Sequence, residues 1–390
     1  MSERPLLEEN MHDFEKCPDR THTDSIKWSA APEGVLPMWV ADMDIPVAEP
    51  VQEALRERVA HPCFGYPDFE QKELKNLVAA HYHKLYDTEV DPDWIVWVPS
   101  VMPGVTLAVR LAQGSFTYFV PMYNHIREVT KEAGLPMTEV PMKKTGTRFT
   151  MDFTAMEEAV TPETKTFILC NPHNPVGRCY SKKELLEAAA FCEKHDLLLV
   201  SDEIHCELVL EGRHTPAFAV NEWTKMHSIT LGSQGKIGNI PGLPFGFAII
   251  PNAELRAQFA KGLLGTMACF DVLTLAAYRK LYDGSCDAWK EDLREHLRRN
   301  RDIVEKWVQD TEGITMPHNE ATYLAFLDCR ALVLQSPAKF FLKEAKVMLS
   351  DGEIYGDPQS VRLNYGCPES QLREALNRMD EALKKYKSGC

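Results

Sequence analysis

The chain has 390 residues, 44% hydrophobic and 26% charged, a balance that excludes a disordered, fibrous or collagen-like protein. At ~100–200 residues per domain, this length allows two or three domains or lobes and a large core. Its 43 Lys and Arg stand against 57 Asp and Glu, a formal charge of −14. Such a surface repels phosphate backbones and anionic lipid, so neither nucleic acid nor membrane is an expected partner. The 11 cysteines are odd in number and scattered, with no CxxC pair. They read as reduced thiols rather than a disulfide framework. Met1-Ser2-Glu3-Arg4-Pro5 leads into an acidic stretch with no apolar core, unlike a secretory signal. No run approaches the ~18 apolar residues of a membrane helix. A cytoplasmic location is expected.

In chain order, short apolar runs alternate with helical patterns from about residue 90. Ile95–Val98 is a predicted strand, Val105–Leu111 a helix, Tyr118–Val120 a strand, followed by a helix from about Ile126. Thr166–Cys170 is a strand. Ser181 with Glu184 forms a capping box for a helix through Leu185 and Cys192. Leu197–Val200, Ile229–Leu231 and Phe247–Ile250 complete the strands. They are continuously apolar, as strands buried on both faces are. This alternation predicts an α/β layer with a mostly parallel sheet. After about residue 285 the texture changes: a charged amphipathic helix Trp289–Trp307, a strand Thr322–Leu327, a helix Pro337–Lys343, strands near Val347–Leu349 and Val361–Leu363, and a terminal helix from Ser370. The expected division is a large domain, 46–285, and a smaller α+β domain built from both chain ends, 1–45 plus 286–390.

Several signatures are absent: no GxxxxGK[ST] phosphate loop, no GxGxxG after a strand, no HExxH. His81 and His83 form an isolated HxH, read as two exposed helix histidines rather than a metal site. The informative residues follow the carboxyl ends of the strands, where open α/β sheets place ligands. Ser100-Val101-Met102-Pro103-Gly104 opens a helix whose free N–H groups suit a phosphate. Asn171-Pro172-His173-Asn174-Pro175-Val176-Gly177 is a rigid turn. Asp202, in Ser201-Asp202-Glu203-Ile204-His205, emerges from an apolar strand and needs a partner. Lys236 ends Gly232-Ser233-Gln234-Gly235-Lys236, among small residues. Singly, each is compatible with a plain structural turn. Their order is not so easily dismissed.

That order resembles the fold-type I pyridoxal-phosphate (PLP) enzymes of the aspartate-aminotransferase superfamily, with Arg362-Leu363-Asn364 as the late motif. The resemblance runs from about residue 12 to the C-terminus. Within the superfamily the chain is most similar to the cystathionine β-lyase or C–S lyase (MalY/PatB) subfamily. Leu36–Asp44, Phe64-Gly65-Tyr66 and the His at 205 carry that narrower match.

The resemblance implies the PLP-transferase fold and a homodimer with shared active sites. It also implies that Lys236 forms the aldimine with PLP and then carries the α-proton. Asp202 would pair with the ring nitrogen, Asn174 with the ring oxygen, and His205 would sit beside that edge. Tyr123 would stack on the ring, while Ser100, Val101 and Ser233 would hold the phosphate. Tyr66 would reach in from the neighbouring subunit, and Arg362 and Val40 would bind substrate. The implied reaction cleaves cystathionine-like or cysteine S-conjugate amino acids to a thiol, pyruvate and ammonia. An aminotransferase with the same site and a non-catalytic regulatory protein remain as alternatives. Departures from the superfamily pattern include Pro244 where many members carry a phosphate-binding Arg, and Lys236-Ile237-Gly238-Asn239 where Lys-[Ser/Thr]-Phe-Asn is usual. Pro121-Met122-Tyr123-Asn124 is also atypical.

Overall fold

The computed structural model describes residues 12–132, 134–265 and 270–388. The N-terminal stretch weighed above as a signal, with Cys269 and Cys390, lies outside them. Seven strands form the main sheet: β1 (Ile95–Val98), β2 (Ser115–Val120), β3 (Met137–Pro141), β4 (Thr164–Cys170), β5 (Leu198–Asp202), β6 (Ser228–Gly232) and β7 (Gly246–Ile249). Their spatial order is β1-β7-β6-β5-β4-β2-β3. Neighbours from β3 to β6 are parallel, and β7 runs antiparallel to both β6 and β1. Six strands therefore point one way and deliver their carboxyl ends to one edge.

The central strands carry apolar residues on both sides because both faces are covered. Phe167, Leu169 and Leu199 join one buried cluster, whereas Ile168, Val200, Ile229 and Leu231 join another on the opposite face. The principal helices are α1 (Glu49–Ala60), α2 (Lys72–Tyr86), α3 (Val101–Leu111), α4 (Lys182–His195), α5 (Val272–Tyr282), α6 (Asp287–Asp310) and α7 (Glu369–Ser388). α4 starts at the expected capping box: the Glu184 N–H donates to Ser181 Oγ, and the Ser181 N–H donates to the Glu184 carboxylate. α3 starts four residues earlier than its apolar pattern suggested, directly at Val101. It packs close to the sheet because Gly104 has no side chain: a Cβ there would lie 2.4 Å from Leu231 Cδ2.

A second, antiparallel sheet contains β8 (Leu324–Asp328), β9 (Ser350–Asp351) and β10 (Ser360–Asn364), in the order β8-β10-β9. Leu36–Pro37 pairs in parallel with Val347–Met348, which ties the early chain to this late sheet. The predicted helix over 337–343 divides into a short α-helix, Pro337–Phe340, and a π-turn, Phe341–Ala345.

Candidate active site

Parallel register brings the motif-bearing turns together. Cys170, the last residue of β4, lies opposite Asp202, the last residue of β5, and Asp202 lies opposite Leu231 of β6. Beyond these ends is a cavity of about 230 Å³, lined by Ser100, Val101, Tyr123, Asn174, Asp202, His205, Ser233 and Lys236. All eight cofactor-contacting residues expected from the sequence are thus assembled at one place.

Lys236 Nζ donates to the Ala41 carbonyl at 2.7 Å. Burial, reinforced by the Arg362 charge, brings its amine down to about 8. Asp202 is buried and accepts a hydrogen bond from the Ile204 N–H at 3.1 Å. Burial dominates there and raises its carboxyl to about 6. His205 is buried, with Nδ1 lacking any hydrogen-bond partner. Burial, then the Lys236 and Arg362 charges, holds its ring well below the usual imidazole range. The Ser100 hydroxyl makes no capping bond to α3, which leaves it and the first-turn N–H groups available. Ser233 is less free: its hydroxyl donates to the Phe245 carbonyl at 2.7 Å and accepts from the Gly235 N–H at 3.0 Å.

Arg362 lies mid-strand in β10 and is buried. It donates to Asn174 Oδ1 at 3.1 Å and to the Trp39 carbonyl at 3.0 Å, and its guanidinium carbon is 4.8 Å from the Tyr355 ring centroid. It has no carboxylate partner among the described residues, and its Nε is unpartnered. A buried guanidinium with only neutral acceptors is a ready anion site.

Val40 does not line this cavity. It borders a second, more open one of about 710 Å³ that Lys236 also borders. The segment around Val40 works through its backbone. Trp39, Val40 and Ala41 offer successive carbonyls to Arg362, Asn364 and Lys236. Asp42 and Asp44 below it bind Arg20 at 2.8 and 2.6 Å, and Asp44 also binds Lys27 at 2.7 Å. Asn239 clamps the same segment through Met43 and Ile45. Tyr66 is not brought to the site within one chain: it is 88% exposed.

The sequence reading missed Tyr278 and Phe245, which close the cavity from α5 and the approach to β7. No local signal marks them. The unusual glycines do so indirectly, since a Cβ at Gly235 would lie 2.9 Å from the Tyr278 hydroxyl. The expectation of two exposed histidines needs correction. His83 is exposed beside Glu89, but His81 is buried, 2.7 Å from Glu207 Oε1, because its face of α2 turns inward. No group of three or more metal-ligating side chains occurs among the described residues.

The donor set suits the cofactor that the resemblance implies. A desolvated amine, a buried carboxylate without a cation in contact and an uncapped helix start match an aldehyde, a protonated ring nitrogen and a phosphate.

Comparison with known proteins agrees. The model of the family described as aminotransferase class I and II matches residues 40–379. Cystathionine beta-lyase PatB of Bacillus subtilis (strain 168) is 33% identical, over 95% of this chain and 99% of its own. The crystal structure of OvoB superposes with a TM-score of 0.92 at 35% identity, covering 95% of this chain and 99% of the other. Cystalysin from Treponema denticola, whose structure contains pyridoxal 5'-phosphate, gives 0.91 at 28% identity, over 96% and 100%. With its site assembled in this way and the match running through nearly its whole length, the chain belongs to the aminotransferase class I and II family.

Proposed function

We propose that the protein is a PLP-dependent carbon–sulfur β-lyase acting on cystathionine-like or cysteine S-conjugate amino acids. The observation that carries the reading is the pairing of Lys236, an amine lowered to about 8, with Arg362, a buried guanidinium lacking a carboxylate. Pyridoxal phosphate, when bound, supplies the electron sink for the pair left by the departing α-proton.

This chain's residues do the rest. Arg362 binds the substrate carboxylate and fixes which Cα bond faces Lys236. Lys236 Nζ takes the proton from Cα, its lowered pKa placing it near neutrality as a base. With the cofactor bound, Asp202 would hold positive charge at the ring nitrogen, and Asn174 and His205 would serve as its polar neighbours. Ser100 and the Val101 N–H would hold the phosphate, and Tyr123 would pack against the ring. The Cβ–S bond breaks, and its electrons leave with sulfur. One water is consumed, and the products are a thiol, pyruvate and ammonia.

Support for elimination over amino transfer comes from the relatives: those named cystathionine beta-lyase reach 33% identity, and an aromatic-amino-acid aminotransferase of Thermococcus litoralis reaches 25%. The reading includes a cytoplasmic homodimer in which Tyr66 enters the partner's site. Its lobes are 46–285 and 1–45 plus 286–390. The deciding assay supplies purified holoenzyme with L-cystathionine and no 2-oxo acid. Pyruvate and homocysteine released in equal amounts are expected. Turnover only after a 2-oxo acid is added would make the protein an aminotransferase.

A further inference from the structure

The HxH segment contributes one histidine to a buried polar network outside the reaction site. Four side chains from four parts of the chain meet there: His81 (α2), Glu207, Gln234 and Lys290 (α6), all buried. Lys290 Nζ donates to Gln234 Oε1 at 2.6 Å, to the Leu281 carbonyl at 2.8 Å and to Glu207 Oε2 at 3.2 Å. Glu207 Oε1 is 2.7 Å from His81 Nε2. Against the upward push of burial, the His81 ring and the Lys290 ammonium beside it hold the Glu207 carboxyl far below its usual range.

A buried ion pair of this kind is weak evidence for stability, since apolar residues of equal volume often do as well. What the network does achieve is geometric. Glu207 follows His205 by two residues, and Gln234 precedes Lys236 by two. One ammonium therefore grips both turns that present these groups. Above it the Lys236 turn is closed by its own bonds, Gly238 N–H to the Gln234 carbonyl at 2.8 Å and Ile240 N–H to the Gly235 carbonyl at 3.0 Å. Gln234 is thus bonded through its backbone to that turn and through its side chain to Lys290.

We infer that Lys290 is a positioning residue: through Glu207 and Gln234 it sets the spacing between the His205 turn and the Lys236 turn. The inference rests on Lys236 being the reactive amine.

The test compares holoenzyme variants Lys290→Met and Gln234→Leu with Val304→Ala, a buried truncation elsewhere on α6. The readouts are the pH titration of the bound-cofactor absorbance band, kcat and KM for L-cystathionine, and Tm. Expected for Lys290→Met is a shifted band midpoint and a kcat lower by ~10-fold or more with KM nearly unchanged, as sub-ångström misplacement produces. Val304→Ala should lower Tm and leave both unchanged. Gln234→Leu keeps the Lys290–Glu207 pair, so it carries the test if Lys290→Met does not fold, and the same two changes are expected. A wild-type midpoint and kcat in either folded variant would overturn the inference. If Lys236→Ala retained the band, the function itself would be misassigned, a separate outcome.

Discussion

Lys236 has an amine that burial and Arg362 bring from 10.5 to about 8. In the cofactor-free protein its reaction with an amine-directed reagent should rise through pH 8, while exposed lysines respond near their ordinary value; residue-resolved mass spectrometry reads the difference. The sign also fixes a stability trend. The unfolded chain holds this proton more tightly, so its contribution to stability increases as pH rises from about 8 toward 10.5 and is least below 8. Lys236→Ala should abolish both the cofactor absorbance band and turnover. Arg362 binds through a planar fork that lysine cannot reproduce. Arg362→Lys should lower kcat/KM for L-cystathionine by roughly 10–100-fold, the value of one charge-assisted hydrogen bond, with the loss visible in steady-state kinetics. Burial, with the Lys236 and Arg362 charges, opposes protonation of His205 and holds its ring well below the usual imidazole range. Its unpartnered Nδ1 is available to a bound group.

At the scale of elements, the site depends on how turns are held. Gly177 closes the Asn171–Gly177 turn with φ at +67°, and a Cβ there would lie 2.4 Å from Asn319 Oδ1. Gly177→Ala should cost about 1–3 kcal/mol by backbone conformation, measurable by urea denaturation of the holoenzyme. Ser181→Ala removes one half of the α4 capping box and should cost about 1 kcal/mol in the same measurement. The legibility of elements follows their burial. β4, β5 and β6 could be read from sequence because apolar residues fill both faces. β3 could not: at the sheet edge its Met137-Thr138-Glu139-Val140 run is mostly half-buried, and one-sided burial leaves no continuous apolar signal. α1 leaves no clear signal for a similar reason, and α2 shows only as a polar helical stretch around His81 and His83. Their exposed faces are heavily charged, and the buried positions, such as Val51, Ala54, Leu74 and Val78, are few.

At the scale of the molecule, one residue of the proposed site, Tyr66, stands outside the cavity of its own chain. Tyr66 is 88% exposed, and Val59, Phe64 and Phe69 close to it are each more than half exposed. An apolar stretch of this kind belongs against another surface. With a two-fold dimer that exchanges Tyr66, mixing the inactive variants Lys236→Ala and Tyr66→Ala under subunit exchange should restore about a quarter of wild-type activity. Random pairing makes half the dimers mixed, and each mixed dimer has one complete site. No recovery on mixing would place Tyr66 outside the partner's site. The net charge of −14 acts at this scale also, on solubility and association rather than on the reaction centre. The reaction centre instead concentrates positive charge, in Lys236 and Arg362.

The sequence by itself determined the chemistry. Lys236, Asp202 and Asn174 stand out by residue type near strand ends, Arg362 by the family resemblance, and none of the four needed coordinates to be singled out. It also determined the α/β layering, since a two-sided sheet leaves its mark on every strand it buries. Only the tertiary structure decided how that chemistry is supported. The Trp39, Val40 and Ala41 carbonyls serve three side chains that lie about 200 to 320 residues away. Tyr278 closes the cavity from a helix with no motif of its own. His81 is buried in an ion network rather than exposed to solvent. Each of these depends on contacts between distant parts of the chain, and the local pattern around a residue does not encode which distant group it will meet.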